Sequence, residues 1–320
     1  MLSMNNYHTT ISFEDFLKFI REIKSNNPNV WFRGVSKASY RLLPSAYRSM
    51  KVVPFLMNGE KGLGNEYKNL EIIVDDPNYL NVINLFKDKI RELEGDLKFN
   101  NEFEWMFYAQ HYGFPTCSMD WTTDPLVALY FAIQADNISL NLDSLAISRE
   151  CMNRQYGELT DRAAAIYILD PARLNQESAL VDKSEPFSLD DPRDSAFLEK
   201  VITRNWNSKN HTPIAILGSR RDRRMVRQSG NFTFHSSHYL TPIDKVEVLR
   251  KDGLTKIIIP YCIINELRCI LRALSITSDS ILPDDPKDLV VRELKTFANS
   301  MFDSAVERIG GHAFANLNTF

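Results

Sequence analysis

Apolar residues recur at helical spacing near the start of the chain. Phe13, Phe16, Leu17, Ile20 and Ile23 share one face of a segment that Ser12 can cap, with Asp15 at the capping-box position. Asn26, Asn27 and Pro28 end it, and Val30–Val35 reads as a short strand carrying WFRG. The following YRLLPSAY, Tyr40–Tyr47, is broken by Pro44 and reads as irregular. A long helix is predicted from Tyr79 to about Phe99, with Leu80, Ile83, Leu85, Phe86, Ile90 and Leu93 inside it. Phe103–His111 continues helical until Gly113 and Pro115. Pro115–Met119 fits an extended segment. Asp124 and Pro125 then open a helix that buries Leu126, Leu129, Tyr130 and Ile133, because Asp caps well and Pro suits the first helical position.

The second half alternates. Asn137–Arg162 is polar and mixed, an excursion rather than an element. Ala163–Leu169 is an apolar strand, and a polar stretch with Asp190, Asp191 and Pro192 follows. Thr212–Leu217 and Asn231–His235 read as strands flanking a basic run, and Lys256–Pro260 as another. Helices over Ile263–Ser275 and about Leu289–Ala305 close the pattern, with a loose end around Gly310–Gly311. Strands interspersed with helices predict an α/β protein with one mixed sheet and helical decoration. The expected organisation is an N-terminal helix (1–29), an α/β core (30–275) and a helical tail (276–320).

Composition narrows the class without naming a function. Of 320 residues 44% are hydrophobic and 25% charged, the balance of a folded globular protein. The net charge of −3 gives no global positive field for nucleic acid or membrane, so anion binding must be local. The apolar run near Leu126–Ile133 is far too short to span a bilayer, and MLSMNNYHTT lacks the basic and apolar regions of a signal peptide. The expectation is a cytoplasmic protein without a membrane partner. Cys117, Cys151, Cys262 and Cys269 are scattered, with no histidine at metal-ligand spacing, so free thiols are expected and no metal. P-loop, GxGxxG, GxSxG, HExxH and kinase signatures are absent.

Three constellations could carry chemistry. In WFRG, Phe32, Arg33 and Gly34 set an arginine on an apolar strand. Its planar fork suits a carboxylate or phosphate, and the glycine would let a ligand approach the backbone; the alternative is a structural salt bridge with Asp120. From His111 to Thr123, a histidine, Thr116, Asp120, Trp121 and Thr122 precede a helix N-terminus that favours an anion such as a diphosphate. Trp121 can stack on a base or a nicotinamide ring, or fill the core. In RRDRRMVRQSGNFTFH, Arg220, Arg221, Arg223, Arg224 and Arg227 precede Gln228, either a solvated loop or a phosphate-binding patch.

These residues resemble the FRG-domain family. WFRGVSKASYRLLPSAYR is similar to the domain's opening. Ala109–Ala132 (AQHYGFPTCSMDWTTDPLVALYFA) resembles its QHxGxPTxxxDWTxxPxxALYFA signature, and Arg224, Gln228, Gly230 and Phe232 fall at the spacing of a third. KIIIP and the helix after it resemble the family's ending. The resemblance implies an ADP-ribosyltransferase-like core and an NAD-using enzyme, with a toxin or antiviral-defence role. It implies Arg33 on the NAD diphosphate or ribose, and Thr122 with Trp121 on the nicotinamide side. Arg224 would hold a phosphate, while Asp120 and Gln228 would act at the scissile centre. The ADP-ribose acceptor would be a protein or a nucleic acid, or water if NAD is hydrolysed. A non-catalytic nucleotide- or nucleic-acid-binding module is the reading from a different class.

Overall fold

The computed structural model describes residues 7–48, 52–54, 71–73, 79–95, 99, 101–111, 113–134, 163–178, 183, 185–203, 213–218, 223–235, 242–282, 293 and 296. Eight strands form one mixed sheet: β1 (Tyr7–Thr9), β2 (Trp31–Val35), β5 (Ser118–Thr122), β6 (Ala164–Leu169), β7 (Phe187–Ser188), β8 (Ile214–Leu217), β9 (Gly230–Phe234) and β10 (Leu254–Ile259). Their order across the sheet is β1-β10-β6-β2-β5-β9-β8-β7; β3 (Val52–Pro54) and β4 (Glu71–Ile73) pair separately. The outer pairs β1–β10 and β7–β8 are parallel, and the inner pairings are antiparallel.

The middle of this sheet is thinly joined. β2 pairs with β6 over five residues, Trp31↔Leu169 to Val35↔Ala165, and β5 pairs with β9 from Ser118↔Phe234 to Thr122↔Gly230. Between β2 and β5 the register holds a single pair, Phe32↔Thr122. Beyond it the two strands part, so two four-strand halves meet at one residue pair.

Helices cover each half on the same face. On the β10–β6–β2 half, α1 (Phe13–Asn26), α5 (Pro125–Ile133) and α10 (Ile264–Ala273) bury Phe16, Ile20, Leu129, Leu267 and Leu271 against Phe32, Ile166, Ile168, Ile257 and Ile259. On the other half, α3 (Tyr79–Glu94), α4 (Glu102–His111) and α7 (Pro192–Thr203) bury Phe86, Ile90, Phe103, Met106 and Leu198 against Ile214, Ile216, Phe232 and Phe234. The opposite face of the sheet carries Trp31, Val35, Met119, Trp121, Tyr167 and Ile258, packed under α6 (Pro171–Glu177) and α9 (Glu247–Asp252) through Leu174 and Leu249. Period-two alternation explains the division, since each strand sends successive side chains to opposite faces. No described helix is long and apolar enough to cross a membrane.

Several sequence expectations shift. The segment before residue 30 is more than a helix, because β1 adds an edge strand to β10 and α1 packs into the core. The extended segment before the central helix runs to Thr122, further than Met119. Immediately after Pro44 the chain forms α2 (Ser45–Arg48) rather than staying irregular, and Asp170–Pro171 opens α6 with the same cap chemistry as Asp124–Pro125. Among the described residues, Cys117, Cys262 and Cys269 form no disulfide, and Cys269 is exposed. Cys151, the 137–162 excursion, the expected helix over 289–305 apart from positions 293 and 296, and the residues after it lie outside the described residues.

Candidate functional site

The gap between β2 and β5 opens as a cleft of about 290 Å³. Its lining draws on segments far apart in sequence: Arg33 and Gly34 from β2, Ser36 and Tyr40 from the loop after it, Arg48 from α2, Asp120 to Thr122 from β5, Phe131 from α5, and Gln228. Residues from three separate motifs, among them Arg33, Asp120 and Gln228, therefore line one cleft.

Arg33 sits at the centre. Where the ladder between β2 and β5 fails, its Nη1 donates to the main-chain carbonyl of Asp120, so a side chain spans the gap that backbone bonds leave. Its Nε is buried without a hydrogen-bond partner. Desolvation lowers the guanidinium's pKa to about 10, opposed by the Asp120 charge and reinforced by Arg48, so Arg33 stays cationic at neutral pH. In place of the alternative ion pair between Arg33 and the Asp120 carboxylate stands this carbonyl contact, and the carboxylate is exposed at the cleft.

Arg48, the last residue of the WFRGVSKASYRLLPSAYR segment, is the second cation. Its Nε donates to the Leu43 carbonyl at 3.0 Å, again a main-chain acceptor. Partial desolvation holds its pKa below the ordinary value, offset by Tyr40 and Asp120. The short helix that carries it is pinned by Thr116: the Thr116 N–H donates to Ser45 Oγ at 3.1 Å, and its carbonyl accepts from the Ala46 N–H at 3.1 Å. Thr116 itself is fully buried away from the cleft lining, its hydroxyl bonded to Gln110 Oε1 at 2.8 Å. The contacts with Ser45 and Ala46 position α2.

Several of the expected ligand residues, Phe32, Gly34, Trp121 and Thr122, line the cleft and also hold the fold together. Phe32 is fully buried under α1 and α5. Gly34 lies against α5 so closely that a Cβ would fall 2.0 Å from the Ala128 carbonyl oxygen, so the glycine permits close helix-on-strand packing. Trp121 borders the cleft, but its indole is 2% exposed in the opposite-face core and its Nε1 donates to Thr233 Oγ1 at 3.0 Å. That ring offers no stacking surface. The Thr122 hydroxyl donates to the Gln228 carbonyl and accepts from the Asp124 N–H at 2.9 Å, tying the end of β5 to the turn between α8 (Arg223–Arg227) and β9. Gln228 lines the cleft while its amide donates to the Ile281 carbonyl at 3.3 Å. The side chains of His111 and Arg224 lie outside the described residues.

One further buried group lies close enough to Arg33 to feel its charge. His235, 1% exposed, has Nε2 3.3 Å from Thr233 Oγ1 and an Nδ1 with no partner. Burial first, and the Arg33 charge second, push its pKa down to about 3, so it is neutral. Its signal in the sequence was only its place at the end of the alternating GNFTFH strand.

Residues 28–139 match the FRG domain family model. The match includes β2, α2, β5 and α5, hence Arg33, Arg48 and Asp120, and excludes Gln228 and Arg224. No curated protein and no solved structure matches the chain significantly.

Proposed function

We propose that the β2–β5 cleft binds NAD and that the protein is an ADP-ribosyltransferase-like enzyme, with NAD hydrolysis as its nearest variant. The observation that carries this reading is the pair Arg33 and Arg48, whose hydrogen bonds go to carbonyl oxygens, so that neither positive charge is spent on a carboxylate. Two guanidinium groups facing one cleft, one with an unused buried N–H, suit the oxygens of a diphosphate.

Asp120 is the acidic side chain of the cleft lining. Cleavage of the nicotinamide–ribose bond at C1′ sends the bonding pair to the nicotinamide nitrogen and leaves positive charge on the ribose ring. A carboxylate beside that centre stabilises the charge as it develops. The oxygen or nitrogen of an acceptor, or of water, then bonds C1′ and gives up a proton. Gln228 would shape the ribose side, with Thr122 fixing the Gln228 backbone. The resemblance that suggested toxin or antiviral-defence activity bears on setting, and the cleft chemistry is the same in either.

Burial of the Trp121 ring favours the second reading, a nucleotide-binding module without catalysis, because no aromatic face from β5 receives the nicotinamide. Calorimetric titration with NAD, ADP-ribose and nicotinamide tests the assignment. The proposal expects NAD and ADP-ribose to bind and Arg48→Ala to weaken both. Binding of nicotinamide alone, or NAD affinity indifferent to Arg48→Ala, would overturn it.

A further inference from the structure

A second cavity, of about 240 Å³, lies beyond the loop that follows β2, and Tyr40 lines both cavities. Arg41, Lys245, Arg250 and Lys256 stand around it against one acidic residue, Asp244. Asp244 is partly committed, since its Oδ1 accepts from the Leu42 N–H at 2.8 Å. Among the described residues, the side chains of Arg41, Lys245 and Arg250 have no hydrogen bond or ion pair.

Lys256 is the unusual member. It lies mid-strand in β10, 7% exposed, and its ammonium donates to the Ala38 carbonyl and lies 4.8 Å from the Tyr167 ring centroid. A cation buried on a strand costs desolvation, and burial lowers its pKa with only Asp244 pulling the other way. A carbonyl and an aromatic face hold it; a carboxylate does not. Four positive groups around one small cavity repel one another, and an anion seated among them relieves that repulsion.

Arginine forks match phosphate oxygens, and Tyr40, 47% exposed, lines the cavity with the Lys37 ammonium 5.8 Å from its ring centroid. We infer that this cavity is a second binding site, for the phosphate of a nucleoside monophosphate unit, free or at the end of a nucleic-acid chain. Lys256, Arg41 and Arg250 hold the phosphate, and Tyr40 lies on the base side. The inference does not depend on what the β2–β5 cleft binds.

The test uses the full chain and four probes: a 5′-phosphorylated dinucleotide, its 5′-hydroxyl counterpart, AMP, and a 5′-phosphorylated twelve-nucleotide strand. The expected result is that the phosphorylated dinucleotide binds at least about tenfold tighter than the hydroxyl form, a 1.4 kcal/mol difference. The double variant Arg41→Glu/Arg250→Glu, changed at exposed positions so that the fold is kept, loses that preference, and Arg33→Ala retains it. AMP binding as well as the strand identifies a free nucleotide as ligand; tighter binding of the strand identifies a chain terminus. Equal affinity for phosphorylated and hydroxyl forms overturns the site, as does a double variant that binds like wild type. So does a preference that Arg33→Ala abolishes, which would place the phosphate in the first cleft.

Discussion

Arg33 reaches across the sheet to the main-chain carbonyl of Asp120, at the point where β2 and β5 stop pairing. The contact joins the two halves of the fold and leaves the Asp120 carboxylate unspent. It also changes what removal of the arginine should do. A buried ion pair broken from one side costs about 3–5 kcal/mol, whereas one orphaned carbonyl costs about 1–3 kcal/mol.

Arg33→Ala should therefore lower stability by about 1–3 kcal/mol and abolish NAD binding. Arg33→Lys keeps the charge and loses the fork, so it should keep the fold and weaken NAD binding by about tenfold or more. Chemical denaturation together with NAD titration reads both effects. A stability loss with unchanged affinity would assign Arg33 to the fold alone.

Gly34→Ala should behave in the opposite way. The added Cβ meets the Ala128 carbonyl oxygen at 2.0 Å and the Ala132 nitrogen at 2.6 Å, both main-chain atoms of α5. Helix and strand must separate, at a cost of about 3 kcal/mol or more. Denaturant unfolding should show this loss without NAD present. A fully stable Gly34→Ala protein would mean that α5 can shift off β2.

His235 gives a pH dependence of known sign. Its folded pKa of about 3 lies below the ordinary 6.5, so below pH 6.5 the unfolded chain binds a proton that the folded chain does not. Stability is lost as pH falls, by about 2 kcal/mol between pH 6.5 and 5 from this group. His235→Gln should flatten that interval in urea unfolding measured at pH 7, 6 and 5. An unchanged slope would show that His235 titrates normally.

Much of this was legible in the chain. The strands at WFRG, AAAIYIL and KIIIP, and the helix after Asp124–Pro125, follow from apolar period and cap chemistry, and each appears. Asp170–Pro171 and Asp191–Pro192 carry the same cap signal as Asp124–Pro125, and helices begin at Pro171 and Pro192. The motif residues Arg33, Asp120 and Gln228 also proved to share a cleft. What the sequence hid was direction. Nothing local says that Trp121 faces the opposite core, that Gly34 serves α5, or that Arg33 bonds a carbonyl; those depend on strand register and on partners about 90 to 110 positions away. Arg48 was hidden by Pro44, which suggested an irregular segment where a one-turn helix turns the arginine toward the cleft.

The central claim is that this cleft cleaves NAD with Asp120 as the stabilising carboxylate. The most direct test follows nicotinamide release and the fate of the ADP-ribose label when NAD is incubated with wild type and with Asp120→Asn, NAD affinity being measured for both. Asn keeps the shape and removes the charge, so the account predicts release by wild type and a loss of roughly 100-fold in the variant with little change in affinity. Full activity in Asp120→Asn, or a wild-type protein that binds NAD and never releases nicotinamide, would contradict it.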